Sequence, residues 1–76
     1  MVRAREVNRR IERLGGRSVR QRGSHRRYEA ARTLPDGTAL IAATTVAQHP
    51  GDIPTGTLRQ IEKDLTPVFG EGWLLK

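Results

Sequence analysis

Cysteine is missing from this 76-residue chain, so no disulfide and no thiolate zinc site can stabilise it, and a reducing environment suits it. Aromatics are scarce: one Tyr, one Phe and one Trp, at Tyr28, Phe69 and Trp73. With 36% hydrophobic residues, one domain of this size builds only a thin core, which leaves room for a partner or a homodimer interface to bury the remainder. Long apolar runs are missing too. None approaches the roughly 18 residues that span a bilayer, and the charged start Met1-Val2-Arg3-Ala4-Arg5 lacks the apolar centre of a signal peptide. A soluble cytoplasmic protein with no membrane partner is expected. Metal-ligand spacing is also lacking: Asp52, Glu62 and Asp64 form no recognisable set, and a lone histidine is rarely a metal site. No metal or other cofactor is therefore expected, and no Cys or Ser/His/Asp pattern suggests a protein nucleophile.

What the chain has in abundance is arginine, unevenly placed. Residues 1–32 carry 11 Arg against Glu6, Glu12 and Glu29, a net +8. Residues 33–76 carry Arg59, Lys63 and Lys76 against Asp36, Asp52, Glu62, Asp64 and Glu71, a net −2. Arginine's planar fork of donors suits phosphate and stacked bases. A GC-rich genome could favour Arg over Lys, but it would not polarise the charge. The asymmetry points to a polyanion, with nucleic acid ahead of membrane because no amphipathic stretch carries large apolar residues.

Hydrophobic spacing orders the elements. Ala4, Val7, Ile11 and Leu14 share one face of a helix over about residues 4–14, ended by Gly15-Gly16. Its outer side carries Arg5, Arg9 and Arg13 in one i, i+4, i+8 row, either a phosphate-tracking row or a solvated basic face. Residues 17–22 and 25–33 read as strands joined by a turn at Gly23-Ser24. Leu34-Pro35-Asp36-Gly37 is a hairpin turn, and Thr38 to Val46 a strand nearly apolar on both faces. Leu58, Ile61 and Leu65 then mark a second amphipathic helix, ended by Pro67. The α-β-β-β-α order predicts an α+β fold: a three-stranded antiparallel sheet with two helices on one face. Thin strand 1 residues, Gly16 and Ser18, beside a tail bearing Phe69 and Trp73, suggest that residues 67–76 pack back on the domain formed by residues 1–66.

The densest arginine segment is Arg22-Gly23-Ser24-His25-Arg26-Arg27-Tyr28. Histidine can move a proton near neutral pH. If Tyr28 and Ala30 face the helices, the two-residue strand period turns His25 and Arg27 to the other face, unless a bulge shifts the register. From these residues alone, His25 could equally contact phosphate or serve structure.

Arg20-Gln21-Arg22-Gly23-Ser24-His25 followed by Tyr28 resembles the central motif of the HicA toxins of bacterial toxin–antitoxin systems. The run Gly51-Asp52-Ile53-Pro54-Thr55-Gly56-Thr57-Leu58-Arg59-Gln60-Ile61 resembles that family's second signature. The resemblance covers about residues 4–65. It implies a fold like that of double-stranded-RNA-binding domains, an endoribonuclease acting on messenger RNA (an mRNA interferase), and a HicB-type antitoxin partner. The family's functional histidine falls on His25 and its motif glycine on Gly23. His25 would then be a general base, taking the 2′-OH proton as that oxygen attacks phosphorus, without a metal. Arg22, Arg26 and Arg27 are candidates to bear phosphate charge, Arg27 first by strand parity, with Arg5, Arg9 and Arg13 as further RNA contacts. Ser24 could orient the ring or simply make the turn. His49 could be the acid for the leaving oxygen or a bystander. The competing functions are a non-catalytic RNA- or DNA-binding module of the same fold, and a protein-interaction domain with a basic docking face.

Overall fold

Ala4, Val7 and Ile11 recur at helical spacing, and burying that stripe makes α1 (Ala4–Arg13) the first packed element. The computed structural model describes residues 2–75, in the order α1, β1 (Arg17–Arg22), β2 (His25–Thr33), β3 (Ala39–Ala47) and α2 (Thr55–Phe69). The three strands form one antiparallel sheet in the order β1-β2-β3. This is the α+β arrangement that the periodicity predicts. No described helix is long and apolar enough to cross a membrane.

Both helices cover the same face of the sheet. Val7 and Ile11 of α1, Tyr28 and Ala30 of β2, Val46 of β3, and Leu58, Ile61 and Leu65 of α2 make one buried cluster. Polar groups that enter it are paired. Asn8 and Gln48 exchange two side-chain hydrogen bonds of 2.6 and 3.1 Å, and Thr44 donates to Asp64 at 2.9 Å. Asn8 thus completes the buried stripe of α1. Leu14, expected in that stripe, is instead the exposed C-cap residue. β3 is also less apolar in its setting than its composition suggests. Thr44 and Val46 are buried, while Ile41 on the opposite side is 65% exposed because no layer covers that face.

Two boundaries differ from expectation for local reasons. Thr38 does not open β3; its N–H and hydroxyl both donate to Asp36, at 3.0 and 2.6 Å, holding it in the turn. Those bonds, the hydroxyl's first, hold the Asp36 carboxyl below the usual carboxylate range. Pro67 does not end α2, which runs two residues further to Phe69. Proline lacks the N–H that would bond back one turn, but the residues beyond it keep theirs, and the Gly70 N–H donates to the Thr66 carbonyl at 2.8 Å to close the last turn.

The C-terminal segment completes the core. Trp73 is buried and meets Phe69 edge-on, with ring centroids 5.2 Å apart. Its indole N–H donates to the Glu62 carbonyl at 2.8 Å, and the Glu62 carboxylate accepts the N–H groups of Leu74 and Leu75 at 3.0 and 2.7 Å. Arg10 of α1 donates to the Trp73 carbonyl at 3.0 Å. Gly16 makes room for α1 rather than for Phe69: a Cβ there would overlap the Ile11 side chain, while the Phe69 ring, 3.4 Å away, would be in ordinary contact.

Truncating Trp73 should consequently be severe. Trp73→Ala is expected to cost about 3–5 kcal/mol, the range for removing a buried large aromatic. Urea denaturation followed by circular dichroism measures it; a loss below 1 kcal/mol would mean that the segment does not support the core.

Candidate functional site

Tyr28 has no exposed surface, and its position sets the faces of β2. Side chains alternate along a strand, so Arg26, Tyr28 and Ala30 point to the helices while His25, Arg27 and Glu29 point to the uncovered face. The Tyr28 hydroxyl donates to Glu12 of α1 at 2.6 Å. Arg26 lies beside it, with Nη1 3.5 Å from the same hydroxyl and Nε donating to Gln21 at 2.8 Å. Gln21 in turn donates to the Gly23 carbonyl at 3.2 Å. These bonds tie the β1–β2 hairpin to α1 from the helix side, and the other side is left to solvent.

The turn that delivers His25 is built from two residues. Arg22 pairs with His25 across it, Gly23 adopts φ +58° and Ser24 does not take a positive φ, the pattern of a type II′ hairpin. A Cβ at Gly23 would touch nothing, so glycine is needed there for backbone conformation alone. The Ser24 carbonyl accepts the Gln48 N–H at 2.6 Å, fastening the turn to the end of β3.

β1 holds the decisive irregularity. Arg17 pairs with Glu29 and Ser18 with Tyr28, but the register shifts at Val19, so that Arg20 pairs with Arg27, Gln21 with Arg26 and Arg22 with His25. Without that bulge, Val19 would oppose Arg27 and Gln21 would oppose His25. One extra residue therefore brings Arg20 and Arg22 onto the His25 face. The result is a shallow cavity of about 160 Å³ lined by Arg20, Arg22, His25, Arg27 and Thr45. Three guanidinium groups, one exposed imidazole and one hydroxyl side chain converge there. Among the described residues, hydrogen bonds engage Arg10, Arg26 and Arg32, and none is made by the side chains of Arg20, Arg22 or Arg27. Such a cluster can grip a phosphodiester through its guanidinium groups while the imidazole takes a proton from a hydroxyl beside it.

The expected site residues thus divide. His25, Arg22 and Arg27 come together, with Gly23 and Ser24 forming the turn that holds them. Arg26 sits on the opposite face in the Tyr28 network. Arg5, Arg9 and Arg13 are exposed on α1, which packs on the helix-bearing side, so they form a second basic surface behind the sheet. His49 lines two other cavities, one with Asp52 and Ile53 and one with Arg3 and Arg5, and does not line that of His25. Arg20 and Thr45 also line the cavity, which residue pattern alone does not indicate. Arg20 lay within the quoted motif, but only the bulge gives it a direction; Thr45 enters by pairing with Arg27. Among the described residues no group of three or more His, Cys, Asp or Glu could hold a metal ion.

A protein-family model described as the HicA toxin of bacterial toxin–antitoxin systems matches residues 4–66. The match runs from the first residue of α1 to the start of the last turn of α2 and includes every residue of the cavity. No curated protein and no solved structure matches the chain.

Tyr28 is the only tyrosine, so its ionisation can be followed alone. Burial first, then donation to Glu12, raises its pKa above the ordinary value of 10.0, against the opposing pull of Arg26. A raised pKa stabilises the fold while the phenol is neutral, so the contribution is present below pH 10 and is lost as pH rises through the folded-state value. Phenolate absorbance should therefore appear later in the folded protein than in urea. Tyr28→Phe should cost about 0.5–1.5 kcal/mol, the net worth of a hydrogen bond to an exposed partner. An unshifted titration would remove Tyr28 as the anchor of the hairpin.

Proposed function

Because the chain belongs to the HicA toxin family of bacterial toxin–antitoxin systems, we propose that it is the ribonuclease of such a pair, cleaving messenger RNA without a metal at the cavity on the open face of the sheet. The observation that carries this reading is the convergence of Arg20, Arg22, Arg27 and His25 in one cavity. In the proposed reaction the 2′-oxygen of a ribose attacks the adjacent phosphorus. His25 takes the hydroxyl proton, the P–O bond to the 5′-oxygen breaks, and a 2′,3′-cyclic phosphate forms. Negative charge builds on the non-bridging oxygens as this happens. Guanidinium groups gathered around the site stabilise that charge.

The arginines have distinct places in this scheme. Arg27 is on the same strand and face as His25, two residues away. Arg22 is its cross-strand neighbour, and Arg20 faces Arg27, so the three surround the imidazole on two strands. Because the cavity is shallow and open, it admits a single strand of RNA better than it encloses a base. Recognition would rest on backbone and 2′-OH contacts rather than on base edges. Arg5, Arg9 and Arg13 would contact RNA only where it passes behind the sheet. The leaving 5′-oxygen needs a proton, and water supplies it in this scheme, since His49 lines different cavities. Family membership also implies a toxin–antitoxin partner, and an antitoxin with an acidic surface would silence the enzyme by occupying the same cavity. A binding-only module is the second reading, favoured by the absence of any other general acid in the cavity lining.

Incubation of the purified protein with single-stranded RNA in excess EDTA tests the first reading against the second. Wild type should yield products ending in 2′,3′-cyclic phosphate, and His25→Ala should lose about 10²–10⁴-fold in rate while still binding RNA. Equal cleavage by the variant, or binding without cleavage by wild type, would overturn the catalytic reading.

Salt dependence tests the phosphate contacts separately. Each removed phosphate contact should lower the slope of log affinity against log salt by about 0.7 for single-stranded RNA. Arg20→Ala and Arg27→Ala should each show that reduction, and Arg26→Ala should not.

A further inference from the structure

The two edges of the sheet are built differently. β1 exposes Arg17, Arg20 and Arg22, and its register breaks at Val19; like charges and a bulge are devices that keep an edge from pairing with another strand. β3 has none of them. Its nine residues, Ala-Leu-Ile-Ala-Ala-Thr-Thr-Val-Ala from Ala39 to Ala47, contain no charge, proline or glycine, and pair with β2 in unbroken register. Ile41, the most exposed large hydrophobic residue among those described, lies on this strand. Beyond β2, the sheet offers β3 no neighbour, and among the described residues the one hydrogen bond from elsewhere to its main chain runs from the Gln48 side chain to the Val46 carbonyl.

We propose that β3 is a self-association edge, pairing antiparallel with β3 of a second copy of this chain to make a continuous six-stranded sheet. The strand is self-complementary about Ala43. Antiparallel pairing centred there sets Ala43 against its own copy, Ala42 against Thr44, Ile41 against Thr45, Leu40 against Val46 and Ala39 against Ala47. Small residues meet at the dyad, and β-branched or aliphatic residues meet beside it, as favourable cross-strand pairs require. Charge selects the same edge. The whole chain carries +6, yet residues 33–58 contain no Lys or Arg and carry Asp36 and Asp52. Joining two copies through β3 keeps their arginine-bearing β1 edges at opposite ends of the sheet, whereas joining them through β1 would oppose arginines.

Strand pairing of this kind preserves faces. Both His25 residues would lie on the same open side of the extended sheet, about 30 Å apart from strand spacing and rise. A single strand pair is a small interface, so association should be reversible and concentration-dependent. The inference rests on the fold alone and is independent of the nuclease reading.

The absence of cysteine provides a clean probe. In an antiparallel pair, Cα atoms opposite one another are about 4.5–5.5 Å apart, within disulfide range. Ala43→Cys in the full chain should therefore give a disulfide-linked dimer on mild oxidation, while Val19→Cys, on the β1 edge, should stay monomeric. Sedimentation equilibrium of the wild type should show a monomer–dimer equilibrium. Ile41→Lys should weaken it at least tenfold with an unchanged circular dichroism spectrum. A wild type that is monomeric at every concentration, or equal cross-linking at Val19→Cys and Ala43→Cys, would overturn the proposal. It would also fall if the wild type alone were monomeric and Ile41→Lys instead abolished binding to a co-expressed antitoxin. That result would assign the edge to a partner's strand.

Discussion

Burial of Tyr28 is the constraint on which the rest of the structure depends. Its ring fills the centre of the core, and its hydroxyl must find a partner there, which Glu12 of α1 supplies at 2.6 Å. A strand has only two sides, so committing Tyr28 to the helices commits every other residue of β2. Ala30 follows it inward, and His25 and Arg27 are turned out. The same contact fixes how α1 crosses the sheet, because Val7 and Ile11 pack in the layer to which Tyr28 belongs. A one-residue slip would place His25 and Arg27 in the core, where unpaired charge is prohibitively costly.

A thin core explains why one face is left bare. With few large apolar residues, the chain can bury one side of a three-stranded sheet and no more, and even this uses the last turn of α2 and Trp73. Trp73 illustrates the economy: a residue from the far end of the chain completes the core, its indole N–H held by the Glu62 carbonyl at 2.8 Å. The uncovered face then accommodates groups that burial would exclude, including four cationic or titratable side chains within one shallow cavity. Strand 1 contributes its residues entirely from an exposed position, so its arginines carry no packing duty. In the proposed function this division places the support on one side of the sheet and the chemistry on the other.

Much of this was legible beforehand because periodicity is a local property. The helix–strand–strand–strand–helix order followed from apolar spacing and from turn chemistry at Gly23-Ser24 and Pro35-Asp36-Gly37. Strand parity placed His25 and Arg27 together, away from Tyr28. Arg26 illustrates the limit of composition. Grouped with its neighbours by sequence, it lies on the other face with Gln21 and Tyr28. Pro67 marks a helix end by residue type, yet α2 continues to Phe69 because the residues beyond it keep their own N–H groups. Ile41 belongs to a strand nearly apolar on both faces by composition, but with both helices on one side it is solvent-exposed.

By itself, then, the sequence determined the elements, their order and the polarised charge, since these depend on neighbours three or four positions apart and on residue type. It also determined that His25 would sit at a tight turn among arginines. Only the tertiary structure decided which of those arginines accompany it. The bulge at Val19 lies where the register of the two-residue turn, Arg22 opposite His25, gives way to Arg17 opposite Glu29, a feature of strand pairing rather than of local preference. That single extra residue exchanges Gln21 for Arg20 and Arg22 beside the histidine, and Thr45 joins them from a strand some twenty residues distant.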